Sequence, residues 1–206
     1  MPELLPALAN RRARRAFDAR RVDPGEEALL WQAASVAPSH GNSQATRLLI
    51  ARPARVRAAL IEALSQGNRS WAPAAPLLVA VAALPAHGSP QVNSDGSERE
   101  LWGFQAGILT GNLMAEATAL GLIAHPMAGF DEVAARRAFG APEDLRILVV
   151  LAIGYPGDPA SLPDDLRKRE AGPQERIPLA NLLVEDRWTD EHALSARDLR
   201  ARTPRE

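Results

Sequence analysis

No cysteine occurs anywhere in the 206 residues. That excludes disulfides, thiolate zinc sites, iron–sulfur clusters and a cysteine nucleophile together. It is compatible with a reducing compartment, and a cytoplasmic location is expected. Charge of one sign is not in excess either: 24 Lys and Arg stand against 25 Asp and Glu, a formal net charge of -1. A surface given over to nucleic acid or anionic lipid is therefore not expected, and any cationic recognition has to be local. Long hydrophobic runs are missing. The longest, LLVAVAAL at 77–84, suits a buried strand and is far too short to span a bilayer. The opening MPELLPALANRRARR puts its apolar residues ahead of its basic ones, the wrong order for a secretory signal. There is no G-x-S-x-G elbow, no P-loop and no G-x-G-x-x-G. The four histidines, His40, His87, His125 and His192, form no i, i+4 pair, so no metal site is expected.

What is present is an ordinary globular composition, 46% hydrophobic and 24% charged, in a chain long enough to bury a sizeable core. Neither an internal repeat nor a clean linker interrupts it, so a single domain over 1–206 is expected. Asp23-Pro24-Gly25-Glu26 opens a helix running to about Ser35, with Asp as N-cap, Pro at the first helical position and Glu placed as in a capping box. RLLIA at 47–51 reads as a strand. A helix follows from Pro53, with Val56, Leu60 and Leu64 on one face and Gly67 as its stop. PLLVAVAAL reads as a fully buried strand, and residues 85–98, rich in Pro, Gly and Ser, as a mobile loop.

The longest helical segment, 99–121, places Gly103, Gly107 and Gly111 on one face. Glu100, Gln105 and Glu116 exclude a membrane span, so the bare face predicts close backbone packing, within one chain or between two. A short capped helix at 131–140 and the strand RILVVLAIG at 146–154 complete the regular pattern. Residues 156–188 carry five prolines and read as an extended arm. Residues 189–206 read as a possible C-terminal helix or tail.

Two stretches concentrate polar chemistry. VAPSHGNSQATRLLIA at 36–51 is an elbow with Ser39, His40, Gly41, Asn42, Ser43 and Gln44 in succession. RRARR at 11–15 packs four arginines into one short turn, and forked guanidinium donors suit a phosphate. From the residues alone that cluster stays open between a solvated patch, a phosphate grip and a nucleic-acid arm.

The ordered set RRARRAF, APSHGNSQ, GNRSWAPAAPLLV, ALGLIAHPMAGFD, AIGYP and GPQERIPLANLL resembles the FMN-dependent nitroreductase family over residues 11–188. The resemblance implies an α+β fold, a mostly antiparallel central sheet wrapped by helices, in an intertwined homodimer with FMN at the interface. NADH or NADPH is the implied electron donor, and a small electron-poor molecule such as a nitroaromatic or quinone the acceptor. No nucleic acid, membrane or metal is implied, and no acid or base residue is required for the hydride step. Flavin reduction, or dehydrogenation of another small substrate, is the alternative within the family. A non-enzymatic anion-binding or nucleic-acid-binding module is the alternative outside it.

By resemblance, Arg11 grips the FMN phosphate with Arg12 beside it, and Arg15 lies near flavin N1 and O2. A fixed cation there favours the reduced, negatively charged flavin. The elbow's Pro38, Ser39, His40 and Asn42 line the cleft, commonly facing a cofactor held mainly by the other subunit. Asn68 meets the pyrimidine edge, and Met127, Ala128 and Gly129 lie over the ring, the latter two through backbone N–H groups. Gln174 and Arg176 come from the proline-rich segment toward the phosphate. The chain departs from the family pattern at Ala13, where Ser is usual, at Ala45-Thr46 in place of Pro-Trp, at Gln105 where Asp is frequent, at Ala128 in place of Glu, and at Gln174 in place of a cation.

Overall fold

The structure is a computed structural model that describes residues 3–88, 90–174, 176–193, 195 and 198. In chain order its elements are α1 (Pro6–Ala9), α2 (Pro24–Ser35), β1 (Thr46–Ile50), α3 (Ala54–Ala63), α4 (Gln66–Arg69), β2 (Leu77–Ala83), β3 (Gln91–Val92), β4 (Glu98–Arg99), α5 (Trp102–Ala119), β5 (Ile123–Met127), α6 (Glu132–Phe139), β6 (Arg146–Gly154), α7 (Asp164–Ala171) and α8 (Leu179–Leu182), with short 3-10 turns between. The chain divides into two compact units, 1–170 and 171–206.

In the first unit, β1, β2, β6 and β5 lie side by side in that order, and every pair is antiparallel. This is the α+β architecture that the resemblance implies. Alternation along the strands divides the core. Leu78, Ala80, Ala152, Ile123 and Met127 point to one face, which α3, α6 and α7 cover through Leu60, Ala135 and Leu166. Leu77, Val79, Val81, Leu151 and Ile153 point to the other, packed against α2 and α5 through Leu30, Ala106 and Leu113. The central strand β2 is buried at all seven positions, as its unbroken apolar run predicts.

Several boundaries differ from expectation for identifiable reasons. The helix from Pro53 ends at Ala63, not at Gly67, because Leu64 turns extended and bridges Phe130 while Ser65 N–H donates to the Gly129 carbonyl at 2.8 Å. Tertiary pairing outcompetes the next helical turn. Residues 85–98 are not a featureless loop: β3 and β4 form a small hairpin closed by Gly96 at φ +83° and by Asn93 N–H donating to Ser97 O at 2.8 Å. The capping box is half made. Asp23 accepts from Gly25 and Glu26 N–H, but the Glu26 carboxylate takes the Tyr155 hydroxyl instead of its helix's own start. Strand β5 was not expected, since Pro126 breaks its pattern; as an edge strand it tolerates the missing donor.

The arm reading of 156–188 needs correcting, because α7 lies within it. Asp158 caps the 3-10 turn Pro159–Ser161 just before it, the Pro163 carbonyl accepts from Arg167 N–H at 2.8 Å, and Leu166 is buried. The second unit holds α8 and a 3-10 turn at Asp190–Ala193, where Trp188 meets the His192 ring at 5.7 Å and Thr189 N–H donates to His192 Nδ1 at 3.0 Å. Most of the C-terminal helix expected near 190–202 lies outside the described residues.

Candidate functional site

The arginine segment 11–18 has no helix or strand of its own and is fixed by the end of β6. Phe17 bridges Pro156, Asp18 N–H donates to Tyr155 O at 3.0 Å, and Gly157 N–H donates to Ala16 O at 2.9 Å. The approach requires glycine at 157, where a Cβ would lie 2.4 Å from the Phe17 carbonyl carbon. On its inner side the segment rests on Trp71 and His125. The Arg14 carbonyl accepts from His125 Nδ1 at 2.9 Å, the His125 ring lies 4.5 Å from Trp71, and the Arg15 guanidinium carbon lies 6.0 Å from the Trp71 ring centre.

Burial pushes His125 below its ordinary value, and Arg15 adds to that. The bonds to Arg14 and Ala13 carbonyls and the charge of Glu170 oppose it. A carbonyl can only accept, so the neutral ring keeps its proton on Nδ1.

Glu170, from α7, reaches the same place. Its carboxylate accepts the Arg15 N–H at 2.9 and 3.1 Å and the Ala16 N–H at 3.4 Å, and lies 3.8 Å from the Arg15 guanidinium.

Asn68 and Gly129 meet at the far end of β5. Asn68 Nδ2 donates to Gly129 O at 3.0 Å, a bond that leaves the amide's carbonyl oxygen able to accept. A Cβ on Gly129 would come within 2.7 Å of Ser65 Oγ and 3.1 Å of Asn68 Nδ2. A side chain there would have to displace the Ser65 hydroxyl and press on the Asn68 amide, so glycine suits the exposed Ala128–Gly129 turn. Met127 is 2% exposed and its side chain is core, so it can serve a ligand through its main chain alone. Arg12 donates to the Ala9 and Arg11 carbonyls, each at 3.0 Å, which turns its guanidinium toward its own backbone. Ala13 is exposed. Gln174 and Arg176 lie in the second unit.

The elbow is built separately, at the β1 edge. Gly41, Asn42 and Gln44 all take positive φ, +56°, +54° and +46°, uncommon for the two non-glycine residues and a strain of order 1 kcal/mol each. It is held by Ser39 Oγ accepting from Gln44 N–H at 3.0 Å, Gln44 Nε2 donating to Asn42 Oδ1 at 2.9 Å, and Ser43 Oγ donating to Gln105 at 3.1 Å on α5. His40 is exposed and meets Gln91 of the hairpin at 2.9 Å, while Pro38 and Asn42 are exposed and Ser39 half-buried.

Within one chain the elbow adjoins β1 and the other set adjoins β5, the two edge strands of the sheet, which are three strand spacings or about 14 Å apart; the elbow is tied to α5 through Gln105 and the other set rests on Trp71 of the opposite core. The structure thus gathers Arg15, Asn68, Ala128 and Gly129 around β5 and leaves Pro38, Ser39, His40 and Asn42 elsewhere. Among the described residues no cluster of His, Asp and Glu could hold a metal, and no helix is long and apolar enough to cross a membrane. Trp71, His125, Gly157 and Glu170 are the residues that sequence reasoning missed. The first three sit inside or beside the recognised motifs. Glu170 ends the charged run DDLRKRE, where nothing marks it as buried.

A cationic segment beside an amide carbonyl and a glycine-opened backbone suits a planar cofactor that carries both a phosphate and a ring with donor and acceptor edges, as FMN does. Its ring N3–H would meet the Asn68 carbonyl, and its anionic parts the arginines. The comparisons agree. Residues 8–155 match the model of the nitroreductase family. An NADH dehydrogenase of Thermus thermophilus is 30% identical, across 89% of this chain and 99% of its own length. A crystal structure of an oxidoreductase containing FMN is similar at a TM-score of 0.79 and 29% identity, covering 91% of this chain and 94% of that one. The NADPH:FMN oxidoreductase of Vibrio harveyi, solved with NAD+, gives 0.72 over 95% of this chain and 80% of its own; at 18% identity it attests the fold alone. The chain belongs to the nitroreductase family, and with it to the NAD(P)H-dependent oxidoreductases that use FMN.

Proposed function

We propose that the protein passes reducing equivalents from NADH or NADPH to a small electron-poor acceptor, such as a nitroaromatic or a quinone, in a site completed by a second copy of the chain. Bound FMN would supply the two-electron chemistry. The chain's part is to bind, orient and set charge. Arg11 and Arg12 serve the phosphate, a role that the resemblance also assigns to Gln174 and Arg176. Arg15 faces the N1 and O2 side of the ring, where charge gathers on reduction. Asn68 takes the pyrimidine edge, and the Ala128 and Gly129 backbone the N5 and O4 side, with Met127 fixing that backbone from the core. Pro38, Ser39, His40 and Asn42 come from the partner copy, and Ala13 lines the phosphate end without a hydroxyl. The NAD(P)H pool makes the cytoplasm the proposed compartment.

One observation carries this reading: the two recognised halves of the site are each well built, yet lie at opposite edges of one chain's sheet. A second copy bringing its elbow to this chain's β5 edge accounts for both. The bare glycine face of α5 supports the same arrangement, because among the described residues a Cβ on Gly103, Gly107 or Gly111 would have nothing within 4 Å. Packing inside the chain therefore does not explain those glycines.

The test is a visible spectrum of the purified protein, mixed with FMN and passed through gel filtration. Flavin bands that travel with a dimer and bleach on adding NADH or NADPH support the proposal. A colourless protein, or a flavin-binding monomer, refutes it.

A further inference from the structure

Glu170 is an acidic side chain brought against the arginine segment from α7, and its surroundings are unusual for a helix glutamate. Its side chain is 4% exposed, against 22% for Arg15. A carboxylate is buried to that extent only when donors satisfy it. Here the donors are the Arg15 and Ala16 N–H groups and the Arg15 guanidinium. The division of labour is uneven. The backbone bond to Arg15 is short, at 2.9 Å, whereas the guanidinium stands off at 3.8 Å. Glu170 therefore holds the Arg15 main chain firmly and leaves its cationic head room to serve something else.

We propose that Glu170 is a positioning residue for Arg15 and that its charge moderates how strongly the site prefers reduced over oxidised FMN, an inference that rests on the reading of Arg15 above. Two consequences follow from one group. The clamp fixes where the guanidinium stem leaves the backbone, across 155 residues of sequence. The carboxylate also partly cancels the positive potential that Arg15 projects into the site. Its other described neighbours are His125, which burial shifts toward the neutral ring, and Trp71, which presents a ring. With the carboxylate's charge removed, Arg15 acts undiluted, and the reduced, more negative cofactor gains more than the oxidised one.

The two roles separate by substitution. Glu170→Gln keeps the length and one acceptor oxygen but loses the charge; Glu170→Ala loses both; Glu170→Asp restores the charge on a shorter stem. In Glu170→Gln the ratio of affinities for reduced and oxidised FMN is expected to rise about tenfold, which for a two-electron couple is a midpoint potential about 30 mV higher. Oxidised FMN should bind within a few-fold of wild type, and Glu170→Asp should bring the potential back toward the wild-type value.

The clamp has a readout that needs no flavin. In the apoprotein, amide hydrogen exchange at Arg15 and Ala16 should accelerate at least tenfold in Glu170→Ala and much less in Glu170→Gln. An unchanged potential in a folded, FMN-binding Glu170→Gln protein overturns the charge role, and unchanged exchange in Glu170→Ala overturns the clamp. Failure of the wild-type protein to bind FMN overturns the functional reading, and the charge role with it, while exchange still decides the clamp.

Discussion

On the face of the sheet that carries Leu78, Ala80 and Ala152, the chain supplies its own cover. Helices α3, α6 and α7 pack there, the arginine segment is pinned by bonds to 155–157, and Glu170 closes over Arg15. On the opposite face α2 and α5 also pack, yet α5 keeps a bare stripe at Gly103, Gly107 and Gly111 beside a shallow hollow of about 350 Å³ lined by Val81, Thr110 and Met114, with Phe104 69% exposed nearby. The first face fixes the arginine segment from within the chain, and on the second the elbow is held by its own side chains and by Gln105. On the proposed reading, the difference teaches that one chain can complete half of a functional site and leave the other half to a second copy.

That comparison breaks most sharply at Gly107. If the face stays uncovered in solution, Gly107→Leu should do no harm and should stabilise the helix by roughly 0.5–1 kcal/mol. If a partner backbone lies against it, the substitution should abolish the dimer and weaken FMN binding by about a hundredfold or more, the expected result, read by light scattering and flavin titration. Next is the self-sufficient face. Gly157→Ala forces a Cβ into the Phe17 backbone; a cost of about 2 kcal/mol predicts a fall in Tm of roughly 4–8 °C, together with weakened flavin binding. An unchanged melting curve would mean that the arginine segment is not pinned there.

Arg15→Ala removes the cation without disturbing that backbone. Loss of a charge-assisted contact predicts about tenfold weaker FMN binding and slower flavin reduction, and equal affinity and rate would remove Arg15 from the site. The smallest effect is a pH dependence. The folded protein holds His125 below its unfolded value of about 6.5, so the unfolded chain binds that proton more readily. The stability this contributes is fully present above about pH 6.5 and is lost as pH falls from there toward the lower folded value. Thermal melts between pH 5 and 8 should show the acid-side loss in wild type, reduced in His125→Gln.

The fold was legible wherever a local signal had no competitor. The buried run at 77–84, the Asp23 cap and the 146–154 strand all appear close to where the pattern places them. Errors came where distant pairing decides: Leu64 leaves its helix to meet Phe130, and β5 forms in spite of Pro126 because β6 lies alongside. The family was legible by motif and order, but what supports its candidate site was not. His125 and Trp71 stand inside the recognised stretches, yet only the fold puts them under the arginine segment. Glu170 was out of reach because a glutamate in a run of charges looks solvated until the helix carrying it is packed.

The pinning of residues 11–18 by residues 155–170 also has a meaning in time. The arginines leave the ribosome well before residues 155–170, and they can be arranged only after that later stretch has been made. Contacts this distant in sequence form late and slowly. A nascent chain lacking its last third would carry the arginines and the elbow and still be unable to order the cationic segment, so cofactor capture becomes a signal that synthesis has passed α7. Truncated products would stay colourless for the same reason that the finished protein is expected to be yellow.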